Sequence, residues 1–358
     1  MTDPVELARD LASLPTAPLA EELPVAFVRD FARRRPALRL STDAAGNVLV
    51  RAGDDGAVPL VLVAHLDHPA FTVRARDGRR LDLEFHGGVG LDAVRPGTAV
   101  DLVRPGQREP SGRATIVDAA GERGRLASAT ATLLDGDAAP GDLALWGFAA
   151  WQLEDGLVTA RVCDDLLGAA AILATLDRLA ADPPAGRAVW GLFTRAEEIG
   201  LLGAFEAVRL GTVPLGAAVL SLECSKALPG APQGGGVIVR VGDAASVFEP
   251  GLTEALRVAA EDAGVRYQRR LMDGGRCEAT VFCAAGYRAS GLAVPLGNYH
   301  NAADDGSGMA AETVRLDDWL AEVELLGALA RQPLPRPDTP PGWYAELAAR
   351  AHATLGAG

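Results

Sequence analysis

The stretch Ala188-Val-Trp-Gly-Leu-Phe-Thr-Arg-Ala-Glu-Glu-Ile-Gly-Leu-Leu-Gly-Ala204 joins an apolar, strand-like run to two adjacent carboxylates. Neighbouring carboxylates raise each other's pKa unless a cation or a shared proton relieves them. Glu197 and Glu198 therefore point to a metal, to acid–base chemistry, or to both. Their place just after a strand matters as much as their charge, because ligands of open α/β sheets gather at the carboxyl ends of strands. The same placement recurs along the chain. His65 and Asp67 follow the unbroken apolar run Pro59–Ala64, Asp164 and Asp165 precede an Ala/Leu helix expected over 167–179, Glu223 ends the run through Leu222, and His300 follows Ala293-Val294. These dispersed residues are expected to meet at one site.

Around this address the chain alternates strands and helices. Apolar recurrence predicts amphipathic helices over 4–13 and 20–34. Strands are expected at 48–51, 59–64, 188–193, 217–222 and 237–241, and helices at 251–263 and from 312 to about 330. Pro335-Arg-Pro-Asp-Thr-Pro-Pro341 reads as a stiff linker before a terminal helix from Trp343. The pattern predicts an α/β fold, a three-layer sandwich with a mostly parallel central sheet. From 71 to 160 the texture changes to short alternating segments separated by Gly, Pro and Asp, which reads as a small all-β insert. The expected organisation is a catalytic α/β domain of residues 1–70 and 161–358 interrupted by that insert.

Among 358 residues, 47 acidic side chains outweigh 34 basic ones, and the resulting charge of −13 argues against nucleic-acid binding through a basic surface. The start Met1-Thr-Asp-Pro-Val-Glu6 has neither the basic residues nor the apolar core of a signal peptide, and no apolar run reaches membrane-span length. A cytoplasmic protein without a membrane partner is expected. Cys163, Cys224, Cys277 and Cys283 show no CxxC spacing and read as small buried residues.

The acidic and histidine positions have a joint chemical reading. His65 offers an imidazole nitrogen to a divalent ion while Asp67 fixes the ring. Asp164 has two oxygens with which to bridge two cations, although an Asp before a helix is more commonly an N-cap. One ion would take His65, Asp164 and Glu223, the other Asp164, Glu198 and His300, with positions left for water and substrate. Oxygen and nitrogen donors suit zinc first, with cobalt or manganese as alternatives. Consecutive side chains diverge, so the carboxylate beside the ligand faces the attacking water.

The order His-x-Asp, Asp-Asp, Glu-Glu, acid, His resembles the two-zinc aminopeptidase clan. Within it, the chain looks most like the glutamyl/leucyl aminopeptidases, which include the tetrahedral and endoglucanase-M-like proteins. Asp43-Ala-Ala-Gly-Asn47, Ala64-His-Leu-Asp-His-Pro-Ala-Phe-Thr-Val73 and Phe193–Ala204 are similar to its three motifs. The long separation of His65 from Asp164 leaves room for a β-rich insert between the first two ligands, as in that family. The resemblance implies His65, Asp164, Glu198, Glu223 and His300 as metal ligands, Glu197 as general base and Asp67 as the residue that orients His65. It implies hydrolysis of a peptide or small amide by activated water, and a homo-oligomer. The chain departs from the pattern at Glu223, where most aminopeptidases have Asp, at His68, which replaces a Glu, at Leu166, which replaces an Arg, and at Glu278, which replaces an Asp. Glu223 is shared with carboxypeptidase and aminoacylase relatives, so a two-metal deacylase of N-acylated substrates is the alternative. A non-catalytic binding protein is disfavoured because Glu197 and every ligand position are retained.

Overall fold

The computed structural model describes residues 1–54, 56–334 and 342–355. The segment 335–341, read above as a linker, lies outside the described residues. The central strand Leu60–His65 is buried at every position, as an unbroken apolar run requires. Its side chains divide by pleat: Leu60, Leu62 and Ala64 enter one apolar cluster, while Val61 and Val63 enter another. Helices therefore cover both faces of this strand. Helix Leu166–Ala181 packs on the first face with Pro4–Ala12 and Leu316–Arg331, and Glu278–Ala284 packs against the far side of Ala218–Ser221.

The large sheet has twelve strands. Ala188–Thr194, Leu60–His65, Ala218–Ser221 and Arg288–Gly297 form its parallel centre, with pairs such as Phe193 opposite Ala64 and Leu220 opposite Leu62. Outside that centre most pairings are antiparallel, including Val48–Gly53 with Ala188–Thr194 and Arg288–Gly297 with Glu312–Arg315. The expected mostly parallel sheet is therefore corrected to a mixed one. Apolar runs report burial on two faces and carry no information about strand direction.

A closed barrel of six strands lies between Ala70 and Trp146. Alternation turns Leu81, Leu83 and Phe85 inward, where Phe71 meets Phe85 and Trp146 edge-on at centroid distances of 4.9 and 5.2 Å. Trp151–Glu154 and Leu157–Ala160, read from sequence as part of the insert, pair with each other. Leu157–Ala160 also pairs with Glu312–Arg315 in the large sheet. Alternation identified Leu157–Ala160 as a strand but not the sheet it joins. No helix among the described residues is long and apolar enough to cross a membrane.

Candidate active site

Strand ends deliver the site. His65 is the last residue of its strand, Asp164 lies between Leu157–Ala160 and helix Leu166–Ala181, and Glu197 and Glu198 occupy the turn after Ala188–Thr194. That turn is tight: Ala196 and Leu201 are left-handed, and the Glu197 carbonyl accepts from both the Gly200 and Leu201 N–H groups. Gly203 is needed there, since a Cβ would sit 2.4 Å from the Arg195 carbonyl oxygen and 2.8 Å from Asn47 Oδ1. Asn47 accepts from the Arg195 N–H and donates to the Gly203 carbonyl. The Asp43–Asn47 motif thus holds the carboxylate turn from the start of the neighbouring strand.

Asp67 is completely buried, and its two oxygens accept from the N–H groups of Glu197 and Glu198, each at 3.0 Å. One of them also lies 3.6 Å from His65 Nδ1, while the Asp67 backbone carbonyl stands 3.1 Å from that nitrogen. Asp67 thus contacts the His65 ring and also anchors the backbone of the carboxylate pair. The second task had no sequence signal, because it runs through backbone groups 130 positions away.

The candidate ligand atoms converge. Asp164 lies between the two imidazoles, with Oδ1 3.7 Å from His65 Nε2 and Oδ2 3.7 Å from His300 Nε2. His300 Nε2 is 3.3 Å from Glu198 Oε1, a buried oxygen with no hydrogen-bond partner among the described residues. His65, Asp164 and Glu198 each present an atom within 4.8 Å of the others, a grouping that could hold a metal ion. His65 Nε2 lies 4.0 Å from Glu197 Oε2, and the Glu197 side chain keeps 12% exposure. Glu223 adjoins this cluster: its Oε1 accepts from Ser221 Oγ, its charge interacts with those of Asp164 and His65, and it lines the neighbouring cavity.

Electrostatics test whether these residues fit cations. Burial pushes the Glu197 carboxyl well above the usual range, opposed by His65 and reinforced by Glu198 and Glu223. Burial and Asp164 push Glu223 up to about 8. For His300 burial works downward, yet Glu198 and Asp164 outweigh it and raise the ring to about 9. Glu197, Glu223 and the two imidazoles are thus driven to hold protons, while His65 and His300 hold Asp164 below its ordinary range against its burial, as expected of a buried, carboxylate-rich cluster short of positive charge. Divalent ions would supply that charge, and the orphaned Glu198 oxygen and the bridging Asp164 fit them.

A cavity of about 200 Å³ opens beside Glu223, lined also by Arg240, Lys226, Met272, Arg276 and Tyr299. The Arg240 side chain is buried, makes no hydrogen bond or ion pair among the described residues, and stacks loosely over Phe248 at 5.9 Å. Position 240 lies in the predicted strand, but its apolar neighbours Val239 and Val241 gave no sign of a ligand-facing cation.

Sequence reasoning also missed the supports around the candidate ligands. Glu21 accepts from the Ala196 N–H and pairs with Arg195 at 2.7 Å. Glu312 reaches the Asp164 and His300 segments. His68 has its ring nitrogens 2.7 Å from the Asp164 carbonyl oxygen and 2.9 Å from Asn301 Oδ1. Asn301 is held in that orientation by its donation to the Arg161 carbonyl.

Fold and site together define a metal-dependent hydrolase of the aminopeptidase type. The sequence profile of the M42 glutamyl aminopeptidase family matches residues 128–313, slightly more than half of the chain, and the chain belongs to that family. It is a metal-dependent aminopeptidase. Among solved structures, the aminopeptidase APDkam598 from the archaeon Desulfurococcus kamchatkensis aligns with a TM-score of 0.77 at 21% identity, covering 92% of this chain and 95% of that one. The Pyrococcus horikoshii TET1 peptidase aligns with a TM-score of 0.75 at 21% identity, over 92% of this chain and all of that one. An endoglucanase from Thermotoga maritima aligns with a TM-score of 0.67 at 16% identity, over 90% and 96%. At such identities the likeness establishes the fold. No curated protein matches the chain significantly.

Proposed function

We propose that the protein is a two-metal aminopeptidase that removes acidic residues from peptide N-termini, built on a three-layer sandwich with residues 70–146 as a separate β-barrel unit. His65, Asp164 and Glu223 would hold one ion and Asp164, Glu198 and His300 the other, and the hard-to-borderline donor set favours zinc. Bound ions would polarise the scissile carbonyl and acidify the attacking water. Glu197, next to the ligands but exposed to the cleft, takes the proton from that water and delivers it to the departing amine. Asp67 keeps Glu197 aimed through its backbone N–H. The excess of carboxylates around the cleft favours a substrate with a free, cationic amine over an N-acylated one.

Arg240 carries the specificity. Its guanidinium makes no direct hydrogen bond or ion pair among the described residues, Glu223 and Asp243 offset its burial from a distance, and the cavity it lines adjoins the candidate ligands. A glutamyl or aspartyl side chain entering there would supply a direct carboxylate partner. The test compares glutamyl, aspartyl, leucyl and N-acetylglutamyl anilides on wild type and Arg240→Met. Losing a buried charge pair costs about 2–5 kcal/mol. The expected outcome is therefore a fall of roughly a hundredfold or more in kcat/KM for acidic substrates, with little change for leucyl. Wild-type preference for leucyl or N-acetylated substrates would reject the reading. Like the Pyrococcus horikoshii peptidase, described as assembling into a tetrahedron or a large octahedral shell, the protein is proposed to form a cytoplasmic homo-oligomer.

A further inference from the structure

Glu312 begins the strand Glu312–Arg315 and is completely buried, yet it belongs to neither the ligand set nor the acid–base machinery. One of its carboxylate oxygens accepts from the N–H groups of Cys163 at 2.7 Å and Asp164 at 3.1 Å. The other accepts from the N–H of His300 at 3.0 Å. A single side chain therefore grips two ligand segments that arrive from different strands. The remaining groups of both segments are also fixed. Asp164 gives its carbonyl to His68 Nδ1, and its Oδ1 accepts from the Cys224 N–H at 3.2 Å. His300 places Nδ1 2.8 Å from the Gly88 carbonyl oxygen. Asn298, His300 and Asn301 all have left-handed backbone, with φ between 53° and 61°. Such strain persists only where surrounding bonds over-determine it.

We infer that Glu312 is a positioning residue that sets the spacing between Asp164 and His300, and thereby the affinity of the ion that those two share with Glu198. This rests on the ligand assignment above. The argument is geometric: Asp164 Oδ2 and His300 Nε2 stand 3.7 Å apart, and the two backbone segments that carry them share one carboxylate. With Glu312 neutral or shortened, one segment loses its anchor and the left-handed turn at His300 is free to relax. A ligand pair preset by the protein binds its ion without that ordering step.

The experiment is zinc binding to full-length wild type and Glu312→Gln, measured by competition with a chromogenic chelator. The amide side chain keeps size and one acceptor but turns an NH2 group toward an N–H donor. The expected result is one ion bound 10–100-fold more weakly, with kcat restored by added zinc and KM unchanged. A variant that melts earlier yet binds both ions within twofold of wild type would show a purely structural role and overturn the inference. Amide hydrogen exchange on metal-free wild type provides a second measurement independent of the variant's folding. The Asp164 and His300 amides should stay protected, because Glu312 rather than an ion holds them. Exchange at unprotected rates would overturn the inference. Failure of wild type to bind zinc would instead overturn the ligand assignment, and this inference with it.

Discussion

Glu197 and Glu198 are neighbours with different surroundings. The Glu198 side chain is 4% exposed and faces His300, whereas that of Glu197 is 12% exposed and lies toward His65 and the cleft. Asp67 holds the two residues through their N–H groups rather than their carboxylates. Glu197→Gln should therefore leave the turn, and with it the metal content, intact. Loss of a general base typically costs roughly two to four powers of ten, so kcat should fall by that amount while zinc per chain stays at the wild-type value. Turnover near wild type would remove Glu197 from the mechanism. The candidate ligands were legible in sequence because each is a metal-competent side chain after an apolar run. Glu312, Glu21 and Arg240 were not. Glu312 acts on amides 148 and 149 positions upstream, and nothing local distinguishes it from an ordinary polar residue at a strand start.

Among the secondary-structure elements, periodicity located the long helices, since 4–13 was expected and Pro4–Ala12 is found, and 251–263 became Pro250–Asp262. It missed the short helices Leu202–Arg209 and Glu278–Ala284, and the helix expected from 312 begins at Leu316 because Glu312–Arg315 pairs as a strand. It failed where tertiary pairing decides, as with the direction of the outer strands and the sheet joined by Leu157–Ala160. The strand Tyr267–Met272 was missed because its burial pattern is mostly exposed. Helix Leu166–Ala181, whose first residues follow Asp164, is tied to the N-terminal helices by Asp177. Its Oδ1 accepts from Arg35 Nε and its Oδ2 from the Thr2 N–H, both at 2.6 Å. Burial works to raise the Asp177 carboxyl, but Arg35 and Thr2 hold it below its ordinary value of 3.8. A depressed folded pKa gives stability that is present above the unfolded value and lost as pH falls through the folded one. Hydrogen bonds to charged groups are worth about 1.5–3 kcal/mol, so Asp177→Asn should cost roughly 1–3 kcal/mol near neutrality. Denaturant melts should show that difference shrinking below about pH 4, the unfolded-state carboxyl range. A gap that persists unchanged into strong acid would remove the ion pair as its cause.

Across the whole molecule, the site closes the gap between barrel and sheet. His300 Nδ1 meets the carbonyl of Gly88, which lies within the barrel unit, and Arg95 Nη2 donates to the Gly306 carbonyl at 2.6 Å. Around the convergence point, Asp164, Glu197, Glu198, Glu223 and Glu278 form a buried or nearly buried acidic group. Both Glu278 oxygens lack a hydrogen-bond partner among the described residues, and burial pushes that carboxyl up to about 7. Removing the ions should therefore destabilise the fold as well as silence it, because the carboxylates must then be protonated or repel one another in a poorly solvated space. An ion present at a hundred times its dissociation constant contributes about 2.7 kcal/mol. Two such ions correspond to a melting shift on the order of 10 °C for a chain of a few hundred residues. Thermal melts of zinc-loaded protein with and without chelator should show that drop, and stoichiometric zinc should restore it. The His300–Gly88 contact predicts where the loosening begins: amides around 86–90 and 302–306 should lose exchange protection together on chelation, while the His300 amide, held by Glu312, stays protected. A melting temperature indifferent to chelator would mean that these carboxylates are accommodated by protons alone and that no ion joins the two parts of the molecule.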